Sequence, residues 1–256
     1  MRGNICTSAK HLVPLKVKAF GQSEQTTSDL LNYIHQSPTP FHCVAKTVRR
    51  LNEAGFTPLE EGDSWNLQEG DSCYVVRDGA LVAFRLGSQP AAKAGFRLLG
   101  AHTDSPNLRL KPRAEYSREG YLQWGVEVYG GALITTWTDR DLGLCGRVAV
   151  QGKKGIEIKL VRIDEPIARV PNLAIHLNRK VNTEGMKLNK QRHLVPVVGL
   201  DGGSGGSALR KRLADAARCK ADKILDYDLS LFDLQAPTLG GLNREFIFSP
   251  RLDNQA

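Results

Sequence analysis

Between Asn107 and Asp201 this sequence carries one strand-like segment after another with no helical pattern between them, and pieces of a different kind bracket that stretch. Tyr121 to Tyr129, Cys145 to Val150 and Ile156 to Ile163 are strand candidates, punctuated by Gly130-Gly131 and Gly152-Lys153-Lys154-Gly155. Strands in series without intervening helices predict a separate β-rich module. Ahead of it, Ser28 to Ile34 reads as a capped amphipathic helix that ends before Pro38. Pro40 then opens a second helix, with Val44, Val48 and Leu51 at helical spacing and Gly55 as its stop. Cys73–Val76 and Leu81–Phe84 flank Asp78-Gly79, a strong hairpin signal. The apolar run Phe96 to Ala101 is predicted as a buried strand that delivers His102 at its C-terminal end.

Beyond the β-rich stretch the pattern turns mixed again. A helix is expected from about Ser207 to Cys219, and Leu225 to Leu231 alternates strictly, as a half-buried strand does. Glu245 to Phe248 is a short apolar strand leading to Asp253. The flanking pieces together predict an α/β sandwich, incomplete within this chain, with the β-rich module inserted into it. The expected division is a disordered leader over 1–23, the first part of an α/β domain over 24–106, the insertion over 107–240, and a return to the α/β domain over 241–256.

Composition narrows the class. Of 256 residues, 41% are hydrophobic and 24% charged, the balance of a soluble globular chain. No window approaches the run of about 20 apolar residues that a membrane span requires. The first 18 residues are basic but lack an apolar core, so a cytoplasmic location is expected rather than secretion, with a mitochondrial presequence as the other reading. The five cysteines form no Cys-x-x-Cys pair, which argues for reduced, mostly buried thiols. The net charge of +8 does not read as a nucleic-acid surface. Its densest cluster, Arg210-Lys211-Arg212 with Arg218 and Lys220, is interrupted by Asp215 and Asp222 and lacks interleaved aromatics, so a solvated helix face is expected. Gly202 to Gly206 lacks the Gly-Lys-Ser/Thr ending of a phosphate loop and reads as a surface loop. Asp63-Ser64-Trp65 offers no nucleophile elbow.

The chemistry rests on His102-Thr103-Asp104 and Leu252-Asp253-Asn254. An imidazole at a strand end can present a nitrogen to a metal at about 2.0 to 2.1 Å. A carboxylate two residues later falls on the same side and can orient that ligand or act in catalysis. Asp253 could bridge two cations, and a metal pair about 3.5 to 4 Å apart can activate water and polarise a peptide carbonyl. A lone His-x-Asp, however, is more often structural. His42 is expected to pack or hydrogen-bond at a helix start, and His11, His35 and His193 to lie exposed. Trp137, Asp139, Arg140 and Asp141 are expected to form a buried charge network or subunit contact that holds the two domains together.

The wider wording changes the weight of those motifs. Ser37-Pro38-Thr39-Pro40-Phe41-His42, Gly100-Ala101-His102-Thr103-Asp104-Ser105-Pro106, Thr136-Trp137-Thr138-Asp139-Arg140-Asp141-Leu142, Leu173-Ala174-Ile175-His176-Leu177 and Phe246-Ile247-Phe248-Ser249-Pro250-Arg251-Leu252-Asp253-Asn254 occur in that order. The series closely resembles the aspartyl aminopeptidase family of dizinc metallopeptidases, from about Gln25 to the last residue, over about the first three-fifths of a family member. The resemblance implies that His102 is a zinc ligand, Asp104 the carboxylate supporting that site and Asp253 the ligand bridging two Zn2+ ions. It implies that the insertion is a dimerisation domain, and that His176 on it reaches a neighbouring subunit's active site to bind substrate. The implied reaction removes one N-terminal residue, preferably Asp or Glu, from a peptide; the implied assembly is a homo-oligomer built from dimers into a dodecamer. The family's Glu-Glu pair, a further Asp and a final His would follow Asp253, and no residue here stands for them. The resemblance therefore implies a polypeptide that lacks its general base and is inactive alone. A non-catalytic assembly subunit and an unstable gene fragment are the other readings.

Overall fold

The computed structural model describes residues 20–202 and 208–255. The leader through residue 19 and the glycine-rich stretch at 203–207 lie outside the described residues. Two helices, α1 (Phe20–Gln36) and α2 (Pro40–Glu53), open the described chain. α2 starts where its sequence says it should. Pro40 stands in its first turn, and the extended Thr39 caps it by accepting from the backbone N–H of His42. The phenol of Tyr33 ties the helices together, 2.8 Å from Thr47 Oγ1 and 3.1 Å from Cys43 Sγ.

Strands β1 (Thr57–Pro58), β2 (Ser72–Arg77) and β3 (Ala80–Arg85) form a small sheet in that order, with Asp78 at φ 52° in the hairpin turn. A single helical turn, α3 (Ala91–Ala94), follows. The expected strand Phe96–Ala101 does not form. No described strand pairs with that segment, and Phe96, Leu98 and Leu99 are 79%, 88% and 102% exposed. Apolar sequence makes a strand only where a neighbouring backbone completes its hydrogen bonds.

The main buried hydrophobic cluster lies in the next module. β4 (Asn107–Arg118), β5 (Tyr121–Tyr129), β6 (Leu142–Gly152), β7 (Gly155–Ala168), the short α4 (Val181–Glu184), β8 (Val197–Leu200), α5 (Ala208–Ala217) and β9 (Ile224–Asp233) follow in turn. Six of them build one antiparallel sheet in the order β7-β6-β9-β4-β5-β8. Leu108, Leu142, Leu144, Val148, Leu229 and Leu231 are wholly buried within it, and α5 contributes Leu209 and Leu213 to the same cluster. The half-buried alternation expected for Leu225–Leu231 is not observed: Leu225 and Asp226 are both exposed, and Tyr227 and Asp228 both half-buried. From Leu229 to Phe232 every residue is buried, because β9 runs between β6 and β4 with both faces covered. Gly146 marks the tightest approach in that pairing: at φ 151°, a Cβ there would sit 2.1 Å from the Asp228 carbonyl oxygen.

The described chain closes with a ribbon of β10 (Thr238–Gly240) and β11 (Phe246–Phe248), then α6 (Leu252–Gln255). The fold is thus mixed α/β. No described helix is long and apolar enough to cross a membrane. Cys43, Cys73 and Cys145 are buried free thiols and Cys219 is half-buried. On α5, Arg210 donates to the Ile224 carbonyl and Arg212 pairs with Glu165, so the basic face expected to be merely solvated also staples the helix to its surroundings.

Candidate metal and substrate site

His102 begins a short irregular loop that is pinned on both sides. Thr103 Oγ1 donates to the Gly79 carbonyl at 2.6 Å, which anchors the loop to the β2–β3 turn. That turn is held to the large sheet in its own right, since Arg147 pairs with Asp78 at 2.8 Å and lies over the Phe41 ring at 4.0 Å. On the other side Ser105 and Asn107 are buried, and Asn107 enters β4. Between these anchors Asp104 Oδ1 is 3.0 Å from His102 Nδ1, while Asp104 Oδ2 accepts from the Tyr129 phenol at 2.5 Å. The Tyr129 bond is the largest influence holding the Asp104 carboxyl below its ordinary range; partial burial opposes it and His102 adds to it. The same bond, reinforced by burial, pushes the Tyr129 phenol up.

Asp253 sits on α6, exposed, just after Arg251 at φ 64°. The segment before it folds back onto the start of the chain. Arg251 donates to the Ile34 carbonyl at 3.2 Å and stands 5.9 Å from the Phe232 ring centre. Burial pushes the Arg251 guanidinium down. Asp253 lines a cavity of about 450 Å³ together with Ser105, Asn107, Trp137, Arg140 and Arg251. The two ends of the α/β region therefore meet at one hollow, although His102 and Asp104 themselves are not part of its lining.

His176 lies elsewhere, on an exposed turn over residues 175–177, flanked by the exposed Leu173, Ile175 and Leu177. The structure brings His102 and Asp104 together; it does not bring His176 to them. Among the described residues no group of three or more His, Cys, Asp or Glu is placed to hold a metal ion. Measured against zinc, the donor chemistry fits in part. An imidazole with its second nitrogen held by a carboxylate is the usual form of a zinc-binding histidine. The donor number does not fit, because a catalytic zinc keeps three protein ligands.

The other sequence expectations resolve as follows. His42 is a helix-start histidine: its Nδ1 lies 2.7 Å from Thr39 Oγ1, and burial, with the Arg162 charge, pushes its pKa down to about 4. His35 is exposed, with its ring 3.4 Å from Arg162, and His193 accepts from the Asn189 N–H. His11 lies outside the described residues. The Trp137–Asp141 network is not buried, and its hydrogen bonds and ion pairs among the described residues stay local. Arg140 bonds Asp233 and Gln235, Asp141 pairs with Arg169, and Asp139 accepts from the Asn172 N–H, all within the module of the large sheet and mostly at its surface. Ion pairs are satisfied more cheaply there, where water shares their solvation. Sequence reasoning passed over Tyr129. The available signal was a tyrosine ending a strand immediately before Gly130-Gly131.

A family model described as Aminopeptidase I zinc metalloprotease (M18) matches residues 33–256. The probable M18 family aminopeptidase 2 of Pseudomonas aeruginosa (strain LESB58) is 47% identical over 230 residues, which are 88% of this chain and 53% of that protein. The cryo-EM structure of the Ape4 and Nbr1 complex superposes with a TM-score of 0.87 at 35% identity, covering 94% of this chain and 50% of that one. The S. cerevisiae mApe1 dodecamer superposes with a TM-score of 0.74 at 29% identity, over 90% of this chain and 53% of that one. The chain spans about half the length of the relatives it matches.

Proposed function

Because the chain belongs to the aminopeptidase I zinc metalloprotease family (M18), we propose that it is part of a zinc-dependent aminopeptidase that removes acidic residues, Asp or Glu, from peptide N-termini. The observation that carries this reading is a single family match running through residues 33–256, which takes in His102, Asp104, His176 and Asp253 alike. The His102–Asp104 pair supports it, since it leaves the far ring nitrogen of His102 free of that bond. In this reading His102 and Asp253 are metal ligands, Asp253 shared between two ions, and Asp104 orients His102. When bound, zinc supplies Lewis-acid activation of water and of the scissile carbonyl. His176 serves substrate in a neighbouring subunit of a homo-oligomer, for which the dodecameric relative is the precedent. The +8 charge favours peptides with acidic ends, and the setting is cytoplasmic.

With two metal ligands and no general base, a polypeptide of these 256 residues is not expected to turn over by itself. The test combines zinc titration with assays on N-terminal Asp, Glu and Leu anilides. Any zinc that the purified protein binds should depend on His102, so that His102→Ala abolishes it, and the protein should cleave none of the anilides. Steady cleavage of the Glu anilide would overturn the inactivity, and zinc binding indifferent to His102→Ala would overturn the ligand assignment. A second reading, a non-catalytic assembly subunit, draws on the exposed Leu173, Ile175 and Leu177 around His176. It requires a stable oligomer by light scattering in which the zinc site is dispensable.

A further inference from the structure

Tyr129 ends β5, and the β4–β5 register sets it opposite Asn107, three residues along from Asp104. Its phenol meets one oxygen of the Asp104 carboxylate and His102 Nδ1 meets the other. An ionised carboxylate accepts and cannot donate, so both partners bring the hydrogen, the phenol from O–H and the imidazole from Nδ1–H. A neutral ring protonated at Nδ1 keeps its lone pair at Nε2.

His102 needs such a constraint. Its side chain is 64% exposed and stands on no helix or strand. Left to water, a neutral imidazole favours the opposite tautomer, with hydrogen on Nε2 and no lone pair there to offer. The Asp104 bond alone is a weak restraint, because the last torsion of an aspartate is broad and its carboxylate turns readily. A second bond at Oδ2, from a residue fixed in a paired strand, removes that freedom. We infer that Tyr129 is a positioning residue for His102: it locks the Asp104 carboxylate, which holds the imidazole in the Nδ1–H tautomer with Nε2 available to a metal. This inference rests on the reading of His102 as a zinc ligand. It also gives the large sheet a direct part in that site, since β4 and β5, not the α/β pieces, set where the phenol stands.

Tyr129→Phe removes the hydroxyl and keeps the ring, and since Tyr129 is 39% exposed the variant should melt as the parent does. In the zinc-free 256-residue protein, long-range proton–nitrogen correlation spectra at a pH where imidazole is neutral report the His102 tautomer, with His102→Ala assigning the signals. The parent should show Nδ1–H; Tyr129→Phe should move the ring nitrogens toward the Nε2–H form. Asp104→Asn, which removes the charge from the same link, should do likewise. Any His102-dependent zinc binding, by calorimetry, should weaken in Tyr129→Phe, and by less than the roughly 10- to 100-fold typical of a group that bonds the ligand directly. Identical His102 nitrogen shifts in parent and Tyr129→Phe would overturn the inference. If the shifts move while zinc binding ignores His102→Ala, the positioning stands and the ligand assignment is what fails.

Discussion

At the scale of single residues, His42 couples stability to pH. Its ring is largely buried against Thr39 and stays neutral in the fold down to about pH 4, whereas in the unfolded chain it takes up a proton near pH 6.5. Between those values the unfolded state binds more protons, so stability rises with pH across that window. The contribution is complete above pH 6.5 and is lost as pH falls toward 4, a loss of about 3 kcal/mol if the full shift is expressed. His42→Gln should therefore flatten the dependence of the urea midpoint on pH between 7.5 and 4.5. Parallel curves for the two proteins would remove His42 as the cause. Gly146 makes a different demand. Gly146→Ala forces a methyl into the Asp228 carbonyl at a backbone angle that side chains resist, and should cost about 2 to 4 kcal/mol by urea denaturation.

At the scale of elements, what could be read ahead of the structure followed how local its cause was. The start of α2 depends on Thr39 and Pro40 alone, and the β2–β3 hairpin on Asp78-Gly79; both stand where the sequence places them. Thr39→Ala should accordingly lower stability by about 1 kcal/mol, read from the thermal or urea midpoint, with helix content by circular dichroism otherwise kept. Phe96–Ala101 is the opposite case. Its apolar character says that something ought to cover it, but a strand is a property of two backbones, and only one was in view. The Tyr129–Asp104 bond was illegible for a related reason. It depends on the β4–β5 register, which shifts between Leu110 and Glu115, and no count along the sequence gives that shift. His102 and Asp104 can be read together because a single residue separates them; their third partner is 25 residues away.

At the scale of the whole molecule, the described chain buries one large core and leaves a conspicuous apolar stretch uncovered beside the site loop. Phe96, Leu98 and Leu99 lie together on the run into the site loop. Isolated apolar side chains at a surface are ordinary, but a consecutive exposed set attracts other apolar matter. The purified 256-residue protein should bind a hydrophobic dye such as ANS. Replacing Leu98 and Leu99 together by Ser should lower that signal at least about twofold while leaving the melting temperature within about 2 °C, since neither side chain is packed. A melting temperature that drops by more than that would mean the pair is buried in solution.

The pairing of Leu108 with Leu231 has a consequence for the birth of this protein. β4 and β5 can form their hairpin as soon as they leave the ribosome, but the central strand that β4 needs on its other side lies about 120 residues further on. Counted from the end of β5 the wait is about 100 residues, so at about 5 to 20 residues per second the nascent chain carries a half-built sheet with an open edge for roughly 5 to 20 seconds. The loop bearing His102 and Asp104 is synthesised first and waits through that whole interval, its scaffold still in the making.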